Sequence, residues 1–387
     1  MRGTLRTVLV CALLPLAHTH GAGENESATA CEMTTRAAVT VLPAGIQAWF
    51  AHRLDSLIPG GFAEERSAAG AQRPALPDTA HYLKLDVAAS HPQPAASPKE
   101  ACFPTDQAEA KELFRRCGER EGGTLPWTVR RHFDALIAAY ESGQSESILR
   151  EAGILLRLST DAALPFNTTC NRDGAATGNL ILARSKTRQA LSPHRTVRHR
   201  CHVGLLLNLK SRLTYELRLS PDRYHAITDP VEEVFAVMRG AHDALPLLLA
   251  ADRGALTELG ITDADSFTAQ KYRYYTLLSD RAGWIMEARL KDAATLGANL
   301  IGTAWTLAGG PVIEQPPVRV GAKDESTSPS EGGDEQFVAS KRSKVFHKAS
   351  CPHAHRISQA NRIHFGTLEE ALATGRKPCK TCRPDRP

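Results

Sequence analysis

Apolar positions spaced three and four apart recur along most of the chain, while sustained alternation is absent. Trp127, Phe133, Leu136, Ile137 and Tyr140, with Arg130 and Arg131 between them, follow a helical repeat. Pro126 sits at the first turn of that stretch, where a missing N–H costs nothing. After a break at Gly143 the spacing returns in Ile148, Leu149, Ala152, Leu155, Leu156 and Ser159. A third stripe, Met286, Leu290, Ala293, Gly297, Leu300 and Ala304, runs for about five turns. Such stripes are the buried faces of core helices. No internal repeat is present. The pattern predicts a mostly α-helical body over 28–312.

The periodicity lapses at 313–336, a run of Pro, Ser, Gly and acidic residues that reads as a flexible linker. Beyond it lies a short segment, 337–387. At the other end, Arg2 and Arg6 precede a short apolar run that ends near Gly21, Ala22 and Gly23, which predicts a signal peptide over 1–23. The expected location is therefore secreted or periplasmic. No other stretch reaches about 18 unbroken apolar residues, so no transmembrane segment is expected in the mature protein. The 387 residues allow one large or two medium domains, and 42% hydrophobic with 23% charged residues is ordinary for a globular chain. Export bears on the cysteines. In an oxidising compartment Cys102–Cys117 and Cys170–Cys201 form plausible disulfides with Cys31 left over, and free buried thiols are the equal alternative.

The sharpest chemical signal is in the last segment. His347-x3-Cys351 is followed, after 27 intervening residues, by Cys379-x2-Cys382. Two close pairs of soft donors suit a tetrahedral zinc ion, each pair gripping the metal from its own turn. The Glu369-Glu370-Ala371-Leu372 helix segment and the Pro378-Cys379-x2-Cys382-x-Pro384 knuckle accompany the ligand spacing. In ligands, helix and knuckle together, 337–387 resembles the zinc-binding module of the Ada family of DNA alkylation-repair proteins. That resemblance implies one Zn²⁺ in a small α+β module. In the family all four ligands are cysteines and the first accepts a methyl group from a DNA phosphotriester. Here His347 holds that position, and a zinc-bound imidazole has already given its lone pair to the metal. The resemblance therefore does not extend to methyl transfer by that route, and Cys351, Cys379 and Cys382 read as structural. Residues 337–387 carry 11 Lys or Arg against three acids, while the whole chain is +5, so the module is strongly basic and the remainder slightly acidic. Lys341, Arg342, Lys344, Arg376, Lys377 and Lys380 are its candidate phosphate contacts, which suits nucleic acid or another polyanion.

The body carries a second likeness. In order come 34–43, the run His81-Tyr82-Leu83-Lys84-Leu85-Asp86, Gly123-Thr124-Leu125-Pro126-Trp127, Asp161-Ala162-Ala163-Leu164-Pro165, Asn171-Arg172-Asp173-Gly174 and a helix over 281–308. This succession resembles the zinc-dependent phospholipase C and single-strand nuclease superfamily, in a bacterial secreted branch. The likeness implies an all-α fold and, in the family, three clustered zinc ions that hydrolyse phosphodiesters. Carried over residue by residue, it places His81 and Asp161 on two ligand positions. Arg157, Asn167 and Arg198 fall where the family has histidines, and His202 where it has a glutamate. The N-terminal histidine lands on Cys31 and the early aspartate on Glu64 or Glu65. Guanidinium groups have no lone pair to offer and repel cations. Further metal in the body is therefore not expected, with His81, Asp161 and His202 as the candidate remnant site. Arg157 and Arg198 are candidate anion-binding groups instead.

Together these readings describe a secreted, non-catalytic zinc-binding protein that binds nucleic acid or another phosphate polymer beside a degenerate phosphoesterase-like body. One alternative is a metal-dependent phosphodiesterase, of nuclease or phospholipase C type, with a metal site rebuilt around the remnant residues. A second is a protein related to DNA alkylation repair.

Overall fold

Helices with well-defined stops build the body. They are α1 (Glu24–Val39), α2 (Ala44–Ala51), α3 (Leu54–Gly60), α4 (Gln107–Arg116), α5 (Leu125–Glu141), α6 (Ser145–Ala162), α7 (Leu205–Glu216), α8 (Pro230–Asp243), α9 (Leu245–Glu258) and α10 (Ala264–Leu307). The computed structural model describes residues 24–60, 76–87, 103–182, 196–220, 223–313, 337–341, 343–349, 351–355, 357 and 361–384. It divides the chain into two units, Met1–Pro316 and Pro317–Pro387. The predicted signal peptide, most of the predicted linker, Cys102, Arg342 and Glu64 and Glu65 lie outside the described residues.

Local chemistry sets the helix boundaries. The Asp106 carboxylate accepts the backbone N–H groups of Ala108 and Glu109 at the start of α4. Gly143 takes a left-handed φ of 68° between α5 and α6, a conformation that costs glycine little. The helix expected at 281–308 is longer than its stripe: α10 begins at Ala264, where Asp263 and Ser266 form a reciprocal capping box.

The core is organised around α6 and α10. From Glu151 to Ala162 every residue of α6 is buried, so this part of the helix is enclosed on all sides. It packs against α5, α10, α3 and α1, while α10 also lies along α1, α5, α9 and α7. Gly297 lets α10 lie close to α6, because a Cβ there would stand 2.7 Å from a methyl of Leu156. Pro230–Glu258 is the one described stretch long and apolar enough by length and composition to cross a membrane. In the fold it is two helices interrupted at Ala244, packed on the core and carrying the buried Asp252.

Asp252 is the centre of the body's main polar network. Both it and Arg200 have no side-chain exposure, and they pair through two bonds, Arg200 Nε to Oδ1 at 2.6 Å and Nη2 to Oδ2 at 2.7 Å. Tyr274 donates its hydroxyl to Oδ1 at 2.7 Å, and Asn179 donates its amide to Oδ2 at 2.9 Å. Burial alone would favour a neutral arginine, but the bonds to Asp252 outweigh it and raise the Arg200 pKa. Arg200 lies in a π-helical turn, His199–Gly204, that leads into α7.

Of the two alternatives for Cys170 and Cys201, the disulfide is not formed; both are free thiols, as are Cys31 and Cys117. Cys201 is enclosed in the π turn with its sulfur 3.9 Å from the Leu248 carbonyl oxygen. Cys170 is held elsewhere through its backbone N–H on Asp86. Burial, then the Asp86 carboxylate, pushes the Cys170 thiol up to about 12, which leaves it protonated and a poor nucleophile.

The second unit is a four-stranded sheet of order β3-β1-β2-β4 with two short helices. Its elements are β1 (Phe337–Ser340), β2 (Val345–Lys348), α11 (Pro352–His355), β3 (Arg362–Phe365), α12 (Leu368–Ala373) and β4 (Lys377–Pro378). β1 is antiparallel to β2 and β3, and β4 runs parallel to β2. Side chains alternate across the strands. Phe337, Ala339, Phe346, Phe365 and Ala371 form one small cluster, while Val338, Cys351, Ala354 and Cys379 form another.

Removing one partner of a buried pair leaves an uncompensated charge, at a cost of about 3–5 kcal/mol. Asp252→Ala should lower unfolding free energy by that amount in urea titrations, whereas Arg200→Met with Asp252→Leu should lose less.

Candidate metal centre

Strand alternation and two turns assemble four donors at one end of the small sheet. β2 turns Phe346 into the aromatic cluster, and its neighbour His347 projects toward the other face, with Cys351 three residues beyond the end of the strand. Parallel pairing sets Phe346 against Pro378 and delivers Cys379 beside it, its N–H donating to the Phe346 carbonyl oxygen at 3.0 Å. The tight turn after Cys379 returns Cys382. The ligand atoms of His347, Cys351, Cys379 and Cys382 all lie within 4.8 Å of one another, and Cys351 Sγ is 3.7 Å from His347 Nδ1. A tetrahedron built from Zn–S bonds near 2.3 Å has edges of about 3.8 Å, so the donor set fits zinc.

The chemistry of the donors agrees. Lys348 N–H points at Cys382 Sγ and Thr381 N–H at Cys379 Sγ, each at 3.4 Å, an arrangement that stabilises thiolates. At Cys379 burial raises the pKa, but the bonds from the Cys382 and Thr381 N–H groups outweigh it and the result is lowered. At Cys382 burial, together with the neighbouring Cys351 and Cys379 thiols, pushes the pKa up to about 11. Three adjacent thiols resist ionising together unless a cation shares their charge. A bound zinc supplies that charge and ties the β2 turn to the knuckle. With so few buried apolar residues, the module depends on this cross-link.

The C-terminal segment is thus a single-zinc Cys3His module. Residues 330–385 match the family described as the metal binding domain of Ada, and the match covers the module, leaving the body outside it. Among curated proteins nothing matches the chain.

Of the predicted phosphate contacts, Lys341, Lys344 and Lys377 are exposed and Arg376 is half-buried. Their backbones meet at the end of the sheet away from the zinc ligands. Arg376 Nε donates to the Ser343 carbonyl oxygen at 3.2 Å, and Lys377 N–H to the Lys344 carbonyl oxygen at 2.8 Å. Lys380 is apart from them, exposed in the knuckle. Arg362, which contributes to the module's charge, serves the fold instead: its guanidinium donates to the Ile357 and Ala354 carbonyl oxygens and closes the loop after α11.

In the body, the residues singled out from sequence gather around Asp161. His81 Nδ1–H donates to Asp161 Oδ2 at 2.8 Å, and Arg157 Nε lies 3.7 Å from the same oxygen, one helical turn earlier on α6. The Asn167 amide donates to the Asp161 backbone oxygen at 3.0 Å. Cys31 on α1 is buried within electrostatic reach of Arg157 and Asp161. His202 comes in on the π turn, and Arg198 from the residue before it. Burial raises the Asp161 pKa, but the bond to His81 and the Arg157 guanidinium outweigh it and hold the carboxyl below its ordinary range. Among the described residues, the only group of three or more His, Cys, Asp or Glu with converging donor atoms is the zinc set, so His81, Asp161 and His202 do not form a comparable cage. Sequence reading missed Arg172 as a member of this cluster. It stacks over Tyr82 at 4.9 Å and acts electrostatically on Asp161 and His202. The signal was its place in the Asn171-Arg172-Asp173-Gly174 segment.

Two outcomes follow. Native mass spectrometry should find one zinc in the module, absent in Cys379→Ser, and chelation should abolish amide protection in β1 and β2 while the helical signal of the body persists. Burial, then Arg198, lowers His202 to about 3. The unfolded chain therefore takes up a proton near pH 6.5 that the folded chain refuses. Stability should fall by up to about 1.4 kcal/mol per pH unit as pH drops from 6.5 toward 3, and urea midpoints for His202→Gln should show a shallower decline.

Proposed function

We propose that this is a secreted, non-catalytic protein whose zinc module binds nucleic acid or another phosphate polymer, beside a degenerate phosphoesterase-like helical body. The observation that carries the reading is the basic end of the small sheet, where Lys341, Lys344, Arg376 and Lys377 come from two adjoining turns. Within 337–387 only Glu369, Glu370 and Asp385 oppose the positive charge. Zinc here holds the surface in shape. His347 in the methyl-acceptor position argues against alkylation repair, since the imidazole offers the metal a nitrogen and leaves no zinc-bound thiolate at that place.

The body supports its part of the reading by position. Cys31, His81, Arg157, Asp161, Asn167, Arg198 and His202 were aligned to the ligand positions of the phospholipase C and nuclease superfamily from separated segments, and they meet in one cluster. The guanidinium groups of Arg157 and Arg198 argue against a rebuilt hydrolytic metal site, because they place fixed positive charge where divalent cations would sit.

Fluorescence anisotropy with a single-stranded oligonucleotide tests the module's role. Affinity should fall steeply with salt as condensed counterions are released. Lys344→Ala and Lys377→Ala should each lower the log–log salt slope by about 0.7. Binding that ignores salt, or that survives both substitutions unchanged, would exclude this surface.

A further inference from the structure

The polar cluster around Asp161 contains buried nitrogen atoms that the fold leaves unused. His202 is 6% exposed, and its Nε2 has no hydrogen-bond partner; the same holds for Arg172 Nε. An unsatisfied buried polar group costs about 1–3 kcal/mol, and two within electrostatic reach of one another point to something that would satisfy both.

Charge says what kind of group that is. Arg157, Arg172 and Arg198 lie within electrostatic reach of Asp161 or His202. The buried carboxylate facing them is Asp161, already engaged by His81 and Arg157, and Asp78 near Arg172 is exposed. Positive charge is thus in excess, and a dication would be repelled. His202 stays neutral in this field, so its imidazole can present an N–H donor without adding charge. Arg172 and Arg198 are half-buried and the His81 side chain is 19% exposed, so three members of the cluster keep some contact with solvent. A tetrahedral oxyanion with several acceptor oxygens matches donors arriving from different elements: a guanidinium from the loop after Cys170, an imidazole from the π turn and a guanidinium from α6.

We propose that the body holds a second anion site, for a single phosphoryl group, in which His202 Nε2–H and the Arg172 guanidinium bind the phosphate oxygens, Arg157 and Arg198 supply positive field, and Asp161 positions Arg157 and His81. The site is separate from the zinc module, and no bond is made or broken in it.

Calorimetric titration of the full-length, zinc-loaded protein with inorganic phosphate tests this. One phosphate per chain should bind, and Arg172→Gln and His202→Gln should each weaken it at least tenfold. Lys344→Ala with Lys377→Ala should change it less than twofold, which separates this site from the basic face of the module. The His202 ring nitrogens, followed by NMR in the unaltered protein, should shift on addition of phosphate, a readout that does not depend on any variant folding. The proposal fails if no heat and no ring-nitrogen shift are seen up to about 10 mM phosphate, ten times a 1 mM dissociation constant. It also fails if binding survives both body substitutions, if it is lost with the two lysines instead, or if the protein binds a second zinc that His202→Gln removes.

Discussion

The body of this protein depends on one ion pair that never meets water. Arg200 and Asp252 come from a π turn and from α9, and Tyr274 of α10 and Asn179 of a loop complete the carboxylate's shell. Desolvating two charges is expensive, and only a fully bonded arrangement offsets it. The pair contributes less as net stability than as a demand on geometry, since four separate segments must arrive together for either charge to be tolerated. The π turn is fixed as a consequence, with Arg198 and His202 on either side of Arg200. A helix of ordinary pitch would present these side chains at other angles, and wide turns of this kind recur where side chains must be aimed. The Asp161 cluster is thus held in place from behind by a network that takes no part in it.

The C-terminal unit solves a different problem. Its sheet has two faces and too few apolar residues to cover either well, with an aromatic cluster on one side and the thiol cluster on the other. The parallel pairing of β2 with β4 brings the two halves of the ligand set together, and the N–H groups of Lys348 and Thr381 prepare the sulfur atoms for a cation. The metal does the work of a core. The lysines at the far end of the sheet, Lys341, Lys344 and Lys377, are exposed, and the Arg376 guanidinium lies over Phe365 at 6.0 Å.

Much of this was legible from residue spacing. The stripes over 127–140 and 148–159 correspond to α5 and α6, and the Gly143 break is where the chain turns left-handed. The ligand pairs were clear because a zinc site is defined by short intervals that sequence records directly. The reach of α10 back to Ala264 was missed, although the Asp263–Ser266 cap was there to be read. Other features had no local signature. Arg200 and Asp252 are 52 positions apart, and nothing in either neighbourhood announces a partner. The Cys170–Cys201 bridge was reasonable on spacing and compartment, yet the π turn enfolds Cys201 against Leu248. Arg362 is one of the module's 11 basic residues, and nothing in its neighbourhood announces its bonds to two carbonyl oxygens. Periodicity reports which face is buried, whereas polar partnerships across the fold are decided by tertiary geometry.

The enclosure of α6 has a bearing on descent. Between Glu151 and Ala162 every residue is buried, and a Cβ at Gly297 of α10 would stand 2.7 Å from a methyl of Leu156. A surface helix can drift through many substitutions without loss, but here each change of volume must be answered by a neighbour on another element. Divergent kin of this chain should therefore retain the stretch from Glu151 to Ala162, and the small residue facing it at 297, long after the exposed helices have become unrecognisable. That short segment is the part of the body best suited to tracing its ancestry.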